Sequence, residues 1–112
     1  MAKSFNKTII IGRLGINPEL DKSGKVEIAK FPICNSIVKD GKEEIQWHNI
    51  RAIGKQAILC HEHLSKGDLC CIEGRSTNVE KNGQSKQIII AERITFLSSK
   101  KIRIEGENNE TE

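Results

Sequence analysis

Two stretches of this chain carry residue types that could do chemistry, and the first runs from Glu44 to Lys55 around the single tryptophan. If this stretch is a β-strand, successive side chains point to opposite faces. One face would then carry Trp47, Asn49, Arg51 and Ile53. An indole beside a guanidinium on an open sheet face can stack a nucleic-acid base and hold the neighbouring phosphate. The alternative is that Trp47 packs into the core.

The second stretch is Cys60-His61-Glu62-His63, which together with Cys70 and Cys71 offers thiolate and imidazole ligands for zinc. Zinc deaminases combine His-x-Glu with a later Pro-Cys-x-x-Cys. Here the later cysteines are adjacent and no proline precedes them. Adjacent strand residues point to opposite faces, and helix residues two apart do not face each other. A zinc enzyme is therefore a distant alternative, and we expect no metal and no other cofactor.

Other catalytic patterns are missing. Gly12-Arg13-Leu14-Gly15 is too short for a phosphate loop and precedes no predicted helix. No Ser-His-Asp spacing stands out either. These observations predict a binding protein rather than an enzyme, and a protein-interaction domain without any nucleic-acid role remains a further alternative.

Composition predicts one globular domain, because the chain has 112 residues with 37% hydrophobic and 29% charged side chains. No apolar run is long enough to span a bilayer. Lys3, Asn6 and Lys7 interrupt any secretory signal at the N-terminus. We therefore expect a cytoplasmic protein whose four cysteines are thiols.

The charge distribution favours a polyanionic partner. Four glutamates lie in the last eight positions with no cation among them. They contribute −4 to the net charge of +3, which leaves +7 on residues 1–104. A basic body of this kind is suited to nucleic acid.

The order of predicted elements indicates the fold. The chain predicts strands over Ser4–Leu14, Val26–Val38, Glu44–Ile53, Leu69–Thr77 and Lys86–Leu97, with one helix over Gln56–Leu64. This order is typical of an all-β, five-stranded Greek-key barrel, the OB-fold, with its helix between strands 3 and 4. We expect this domain to occupy residues 1–97. Residues 98–112 are polar and acidic and predict a disordered tail.

Glycine and proline positions add detail to these strands. Gly12 indicates a bulge or a close backbone approach, and Pro32 must lie at an edge or a bulge because it cannot donate to a ladder. Residues 39–44 predict a charged hairpin loop, and Asn82-Gly83 a second, tight hairpin turn. Gly67 is predicted to end the helix in left-handed geometry.

Three groups of motifs, in this order, resemble bacterial single-stranded DNA-binding proteins. They are Asn6–Gly15 with Pro18-Glu19, then Gln46–Ile50 with Gly54–Ala57, then Leu64–Asp68 with Ile72–Arg75. The resemblance covers about residues 4–97. It implies an OB-fold that assembles as a homotetramer, binds single-stranded DNA without sequence preference and has no catalytic activity.

The resemblance also implies roles for individual residues. Trp47 matches a tryptophan that stacks on bases, and Ile53 stands where the family usually has a second stacking aromatic. Lys7 and Lys55 match basic positions near the path of the DNA. His48, on the face opposite Trp47, matches a histidine at the subunit contact.

The chain departs from the family pattern in its aromatics and at its end. Ile37-Val38-Lys39 and Val79-Glu80-Lys81 stand where further aromatics are usual. Family members also tend to end in an acidic segment closing with Pro-Phe, which recruits replication and repair proteins. This chain ends in Asn109-Glu110-Thr111-Glu112, which is acidic but lacks Pro-Phe, so the sequence does not predict recruitment by that route.

A related family fits some of these departures. The hairpin Lys81–Lys86 followed by Ala91-Glu92 resembles primosomal replication protein N, a small, aromatic-poor, dimeric relative used in replication restart. The motifs around Trp47 and Gly54-Lys55 favour the single-strand binder.

With one ring where relatives have several, phosphate contacts must supply more of the binding free energy. The candidate cations are Lys7, Arg13, Arg51, Lys55, Arg75, Lys81 and Lys86. Each phosphate neutralised on a single strand contributes about −0.7 to the slope of log affinity against log salt. We therefore expect unusually salt-sensitive binding.

Overall fold

A computed structural model describes residues 5–98, which form strands and one helix. The elements are β1 (Thr8–Leu14), β2 (Glu19–Asp21), β3 (Ile28–Lys39), β4 (Lys42–Ile53), α1 (Lys55–His63), β5 (Leu69–Lys81) and β6 (Gln84–Ser98). The five long strands and the helix occur in the predicted order. The three-residue β2 was not predicted, because it lies between two turn signals.

The five long strands close into a barrel. Their order is β1-β5-β6-β4-β3, and β3 returns to β1 through the pairs Arg13 with Cys34 and Leu14 with Ile33. β4 and β6 pair in parallel and the other neighbours are antiparallel. α1 connects the third and fourth barrel strands, so the predicted OB-fold is confirmed. β2 extends the sheet beside β3.

Alternation along the strands builds the core. Each strand turns alternate, mostly β-branched side chains inward, where their apolar area is removed from water. α1 covers the barrel with Ala57 and Cys60, and Leu64 just after it is also buried. His61 and Glu62 face water, and Leu59 is 45% exposed.

Gly12, Gly74 and Pro32 mark places where strands approach closely or change partner. A β-carbon on Gly12 would collide with the carbonyl oxygen of Cys34, which confirms the predicted close approach. One on Gly74 would collide with the carbonyl oxygen of Ile90, next to a bulge at Glu92 in β6. Pro32 lies in β3 between the residues paired with β2 and those paired with β1, where no ladder N–H is needed.

Each of the two hairpins turns through only two residues. Asp40 and Gly41 have φ values of 54° and 77°, and Asn82 and Gly83 have 54° and 78°. Two residues with positive φ form the tight turn that suits twisted hairpins. The Asn82-Gly83 prediction is confirmed. The hairpin predicted at residues 39–44 is confirmed, but its loop is shorter than predicted, because the charged residues continue β3 and β4 on either side of the turn.

Gly67 has positive φ, 90°, but it does not end the helix. α1 ends at His63 and Leu64 is already extended, so Gly67 lies in the following loop. Its N–H donates to the carbonyl of Leu14 at 2.8 Å, which ties this loop to the end of β1. The prediction was wrong because a polar Ser-Lys pair separates the glycine from the last helical turn.

The boundary predicted after residue 97 falls at the end of β6, which includes Ser98. The rest of the predicted tail lies outside the described residues. Within residues 5–98, the single helix is too short to cross a bilayer.

Candidate nucleic-acid interface

The predicted face of β4 is part of a larger outer face that also includes β3, β1 and β2. Residues directly opposite in antiparallel strands project to the same side of the sheet. β4 places Trp47, Asn49, Arg51 and Ile53 opposite Cys34, Pro32, Lys30 and Ile28 of β3. Ile50 and Ala52 are buried on the other side, so the predicted alternation is confirmed.

Trp47 lies on this outer face and is 58% exposed. Its benzo edge lies over Gly15, since a β-carbon there would be 2.5 Å from Cζ3 and 2.8 Å from Cη2. The same point is 3.3 Å from Cγ of Pro32. The alternative that Trp47 packs into the core is wrong. The indole is held along one edge and remains accessible for stacking.

Beside Trp47 lies a groove of about 310 Å³, here called the β3–β4 groove. Its lining comprises Ile16, Glu19, Lys30, Phe31, Pro32, Asn49, Ile50, Arg51, Lys86 and Ile88. The exposed Ile16 and the partly buried Pro32 supply its apolar surface. Arg51 is half-buried, whereas Lys30 and Lys86 are exposed. The groove thus combines an apolar surface with cations, beside an open aromatic ring.

Arg51 and Lys86, both predicted, therefore meet at one site although they come from different strands. Lys30, Asn49 and Glu19 were missed as binding candidates. Lys30 lies directly opposite Arg51. Counting back along the chain from a two-residue turn at Asp40-Gly41 pairs these two positions, so a signal for Lys30 was present in the sequence.

Ile53 and Lys55 lie at the far end of the outer face. Ile53 is 42% exposed and lies opposite Ile28, so the face ends in an aliphatic pair. Gly54 turns the chain with φ 72°, and its N–H donates to the Glu27 carbonyl at 2.8 Å. Lys55 then begins α1 as an exposed cation.

The remaining predicted cations are not gathered at the groove. Arg13 lies opposite Cys34, in the row that contains Trp47, and its Nη1 donates to the Gly67 carbonyl at 3.0 Å. Lys7 precedes β1 and pairs with Glu73 at 3.6 Å. Arg75 pairs with Glu92 at 3.7 Å, and Lys81 adjoins the β5–β6 turn. Lys7 and Arg75 thus have acidic neighbours away from Trp47.

His48 lies on the opposite side of β4 from Trp47. Its Nε2 is 2.7 Å from Oδ1 of Asn35, and partial burial lowers the pKa of the imidazole below its usual value. A neutral ring protonated at Nε2 donates this hydrogen bond. This contact lies within one chain, and the predicted subunit contact stays a prediction.

The cysteine and histidine side chains predicted as zinc ligands do not come together at one site. Cys60 and Cys70 are fully buried, and burial raises the pKa of each thiol to about 12, so both stay protonated. Cys71 points to the other face of β5 and is half-buried. Within residues 5–98, no three His, Cys, Asp or Glu side chains are grouped to hold a metal ion.

The sequence model of the single-strand binding protein family matches residues 5–97. A single-stranded DNA-binding protein of Xylella fastidiosa is 33% identical over 93 residues, covering 78% of this chain and 57% of the relative. Single-stranded DNA-binding protein 1 of Staphylococcus aureus strain Mu50 is 37% identical over 106 residues, covering 86% and 67%.

A solved structure of the Plasmodium falciparum single-strand binding protein in complex with single-stranded DNA has the same fold. The two superpose with a TM-score of 0.70 at 25% identity, covering 88% of this chain and 99% of the other. The chain spans 57% and 59% of the lengths of its Xylella fastidiosa and Chlorobaculum tepidum relatives. On the fold, the family match and these identities, the chain belongs to the single-strand binding protein family.

Proposed function

We propose that this protein binds single-stranded DNA without catalysis and without a cofactor. The observation that carries the proposal is the exposed indole of Trp47, which lies beside a groove containing Arg51, Lys30 and Lys86. Relatives named as single-stranded DNA-binding proteins support it. Protection of single strands during replication, recombination or repair, in the cytoplasm and at the nucleoid, is the cellular role that goes with this activity.

The mechanism divides between stacking and charge. A base stacks on the free part of the Trp47 ring, which contributes about 1–3 kcal/mol for one base. Arg51, Lys30 and Lys86 neutralise phosphates along the groove and release counterions. Lys55 extends the positive charge beyond Ile53, whose aliphatic side chain offers a weaker surface than an aromatic ring. Arg13 adds a cation on the other side of Trp47.

The active form is a homo-oligomer, with a tetramer favoured and a dimer as the alternative. Ile9 and Ile11 project outward from β1 and are 61% and 55% exposed. β1 pairs with β3 only through Arg13 and Leu14, so among the described strands residues 8–12 have a neighbour on one side alone. An unpaired strand edge beside exposed isoleucines is suited to pairing with a second copy.

A gel-shift titration tests the binding activity. Oligothymidine should be retarded at protein concentrations that leave a duplex of equal length free. Retardation of neither DNA would contradict the proposal and would favour a protein-interaction role instead.

A further inference from the structure

The β3–β4 groove contains a carboxylate that phosphate binding does not explain. Glu19 of β2 lies directly opposite Lys30, which lies directly opposite Arg51. The three side chains form one row on the outer face. Glu19 is exposed, and within residues 5–98 no ion pair joins it to Lys30 or Arg51. A carboxylate in this groove repels phosphates and weakens their binding. Phosphate binding alone therefore does not account for Glu19 at this position.

A ligand group with N–H donors can use that carboxylate. Among the groups of a single strand, such donors occur on the bases and not on the phosphates or the sugars. Guanine, adenine and cytosine carry exocyclic amines, whereas thymine offers only its single ring N3–H. Arg51 in the same row favours guanine among these three bases, because guanine also presents the acceptors O6 and N7 that arginine binds in bidentate fashion. Asn49 adds an amide on the same wall.

The dimensions suit one base. Neighbouring strands are about 4.8 Å apart, which places Glu19 and Arg51, two strands apart, roughly 10 Å from each other at their backbones. The groove volume of about 310 Å³ is close to the lower end of small-ligand pockets. Asn49 is two residues from Trp47, which is about 7 Å along the strand. A base in the groove can therefore neighbour a base stacked on Trp47.

We infer that the β3–β4 groove is a base pocket that prefers guanine over thymine. Glu19 accepts from the N1–H and the 2-amino group, and Arg51 donates to O6 and N7 of a guanine in the groove instead of to a phosphate. The inference rests on the proposed function and adds a modest sequence preference to it. Lys30, between the two, serves the phosphate backbone and should not discriminate between bases.

The test compares oligothymidine with the same oligonucleotide carrying one central guanine, by competition titration at fixed salt. The guanine oligonucleotide should bind about fivefold more tightly, the lower end of what one well-placed base contact supplies. Hypoxanthine, which keeps O6 and N7 but lacks the 2-amino group, should give an intermediate affinity. Glu19→Gln should bind oligothymidine at least as tightly as the wild type and lose the preference.

Glu62→Gln is the matched control, because it removes the same charge from the exposed surface of α1. It should keep the fivefold preference. Equal affinities for guanine and thymine in the wild type would overturn the base pocket while leaving single-strand binding intact. A preference that survives Glu19→Gln, or equal binding of hypoxanthine and guanine, would also overturn it. Failure to bind either oligonucleotide would instead refute the proposed function, and the pocket with it.

Discussion

The benzo edge of Trp47 lies so close to Gly15 that a methyl group at position 15 would be 2.5 Å from Cζ3 of the ring. Gly15 follows β1, and its N–H donates to the Pro32 carbonyl at 3.0 Å, which fixes it beside β3. A residue without a side chain therefore sets where the indole rests and leaves the ring open on its outer side.

Gly15→Ala should displace the indole and weaken single-strand binding, because the added methyl occupies the space of the ring edge. The loss should be smaller than the loss on removing the ring, since a displaced indole can still stack. Tryptophan emission and oligothymidine affinity measure the two effects. Gly24→Ala is the control, because a β-carbon there meets nothing closer than 4.0 Å. Unchanged emission and affinity in Gly15→Ala would show that the contact is not important.

Trp47→Ala should weaken binding by about 1–3 kcal/mol while the protein stays folded. The reason is that the side chain is 58% exposed and contributes little to the core. Circular dichroism checks that the variant is folded, and an oligothymidine titration measures the loss of affinity. Trp47→Phe should retain part of the affinity. An unfolded Trp47→Ala protein would mean that the ring is a structural element rather than a stacking platform.

Arg51→Ala should reduce the steepness of the salt dependence by about 0.7 in the slope of log affinity against log salt. Lys30→Ala should do the same, because Lys30 lies directly opposite Arg51 on the groove. Lys42→Ala removes an exposed cation at the β3–β4 turn that does not line the groove, and should leave the slope unchanged. Nearly salt-independent affinity in the wild type would contradict the reliance on phosphate contacts.

Ile11→Lys should lower the molar mass in solution, because it places a charge on the exposed apolar side of β1 that we assign to a subunit contact. Light scattering or sedimentation gives the mass. Val26→Lys, a change at a 48% exposed position outside the strands, should leave it unchanged. His48→Tyr should also shift assembly at low concentration if His48 lies at a contact. A wild-type monomer, or unchanged mass in both Ile11→Lys and His48→Tyr, would exclude the proposed interface.

His48 should make the fold less stable in mild acid. Its pKa is lowered by burial, so the unfolded chain takes up a proton at a higher pH than the folded chain. The free energy of unfolding therefore falls as pH drops through about 6.5, and this fall ends below the folded pKa. Denaturant unfolding of the wild type and His48→Gln at pH 7.5 and 5.5 isolates the effect. An equal change in both proteins would rule it out.

The fold could be predicted from the chain because its signals are local. Alternation in β4 correctly separated Trp47 from Ile50, and Asn82-Gly83 correctly marked a hairpin turn. β2 was missed because three residues between turns carry almost no periodicity. The loop of the first hairpin was predicted too long because charge dominated residues 39–44, although Asp40-Gly41 is itself a tight-turn pair.

The site was harder to predict because it depends on registers between strands. The alternation of β4 alone places Arg51 on the outer face. Lys86 reaches the same groove only because β4 and β6 pair in parallel. Lys7 and Arg75 have the same chemistry as these two, yet their acidic neighbours Glu73 and Glu92 are visible only once β1, β5 and β6 are assembled. The role of Gly15 depends on a contact with a ring distant in sequence.

The most direct measurement follows the intrinsic fluorescence of Trp47, the single tryptophan, during titration with DNA. Oligothymidine should quench the emission and protect the ring from acrylamide, and a duplex of equal length should do neither at moderate salt. Binding of oligothymidine, verified by gel shift, with unchanged emission and unchanged acrylamide access would contradict the stacking role of Trp47.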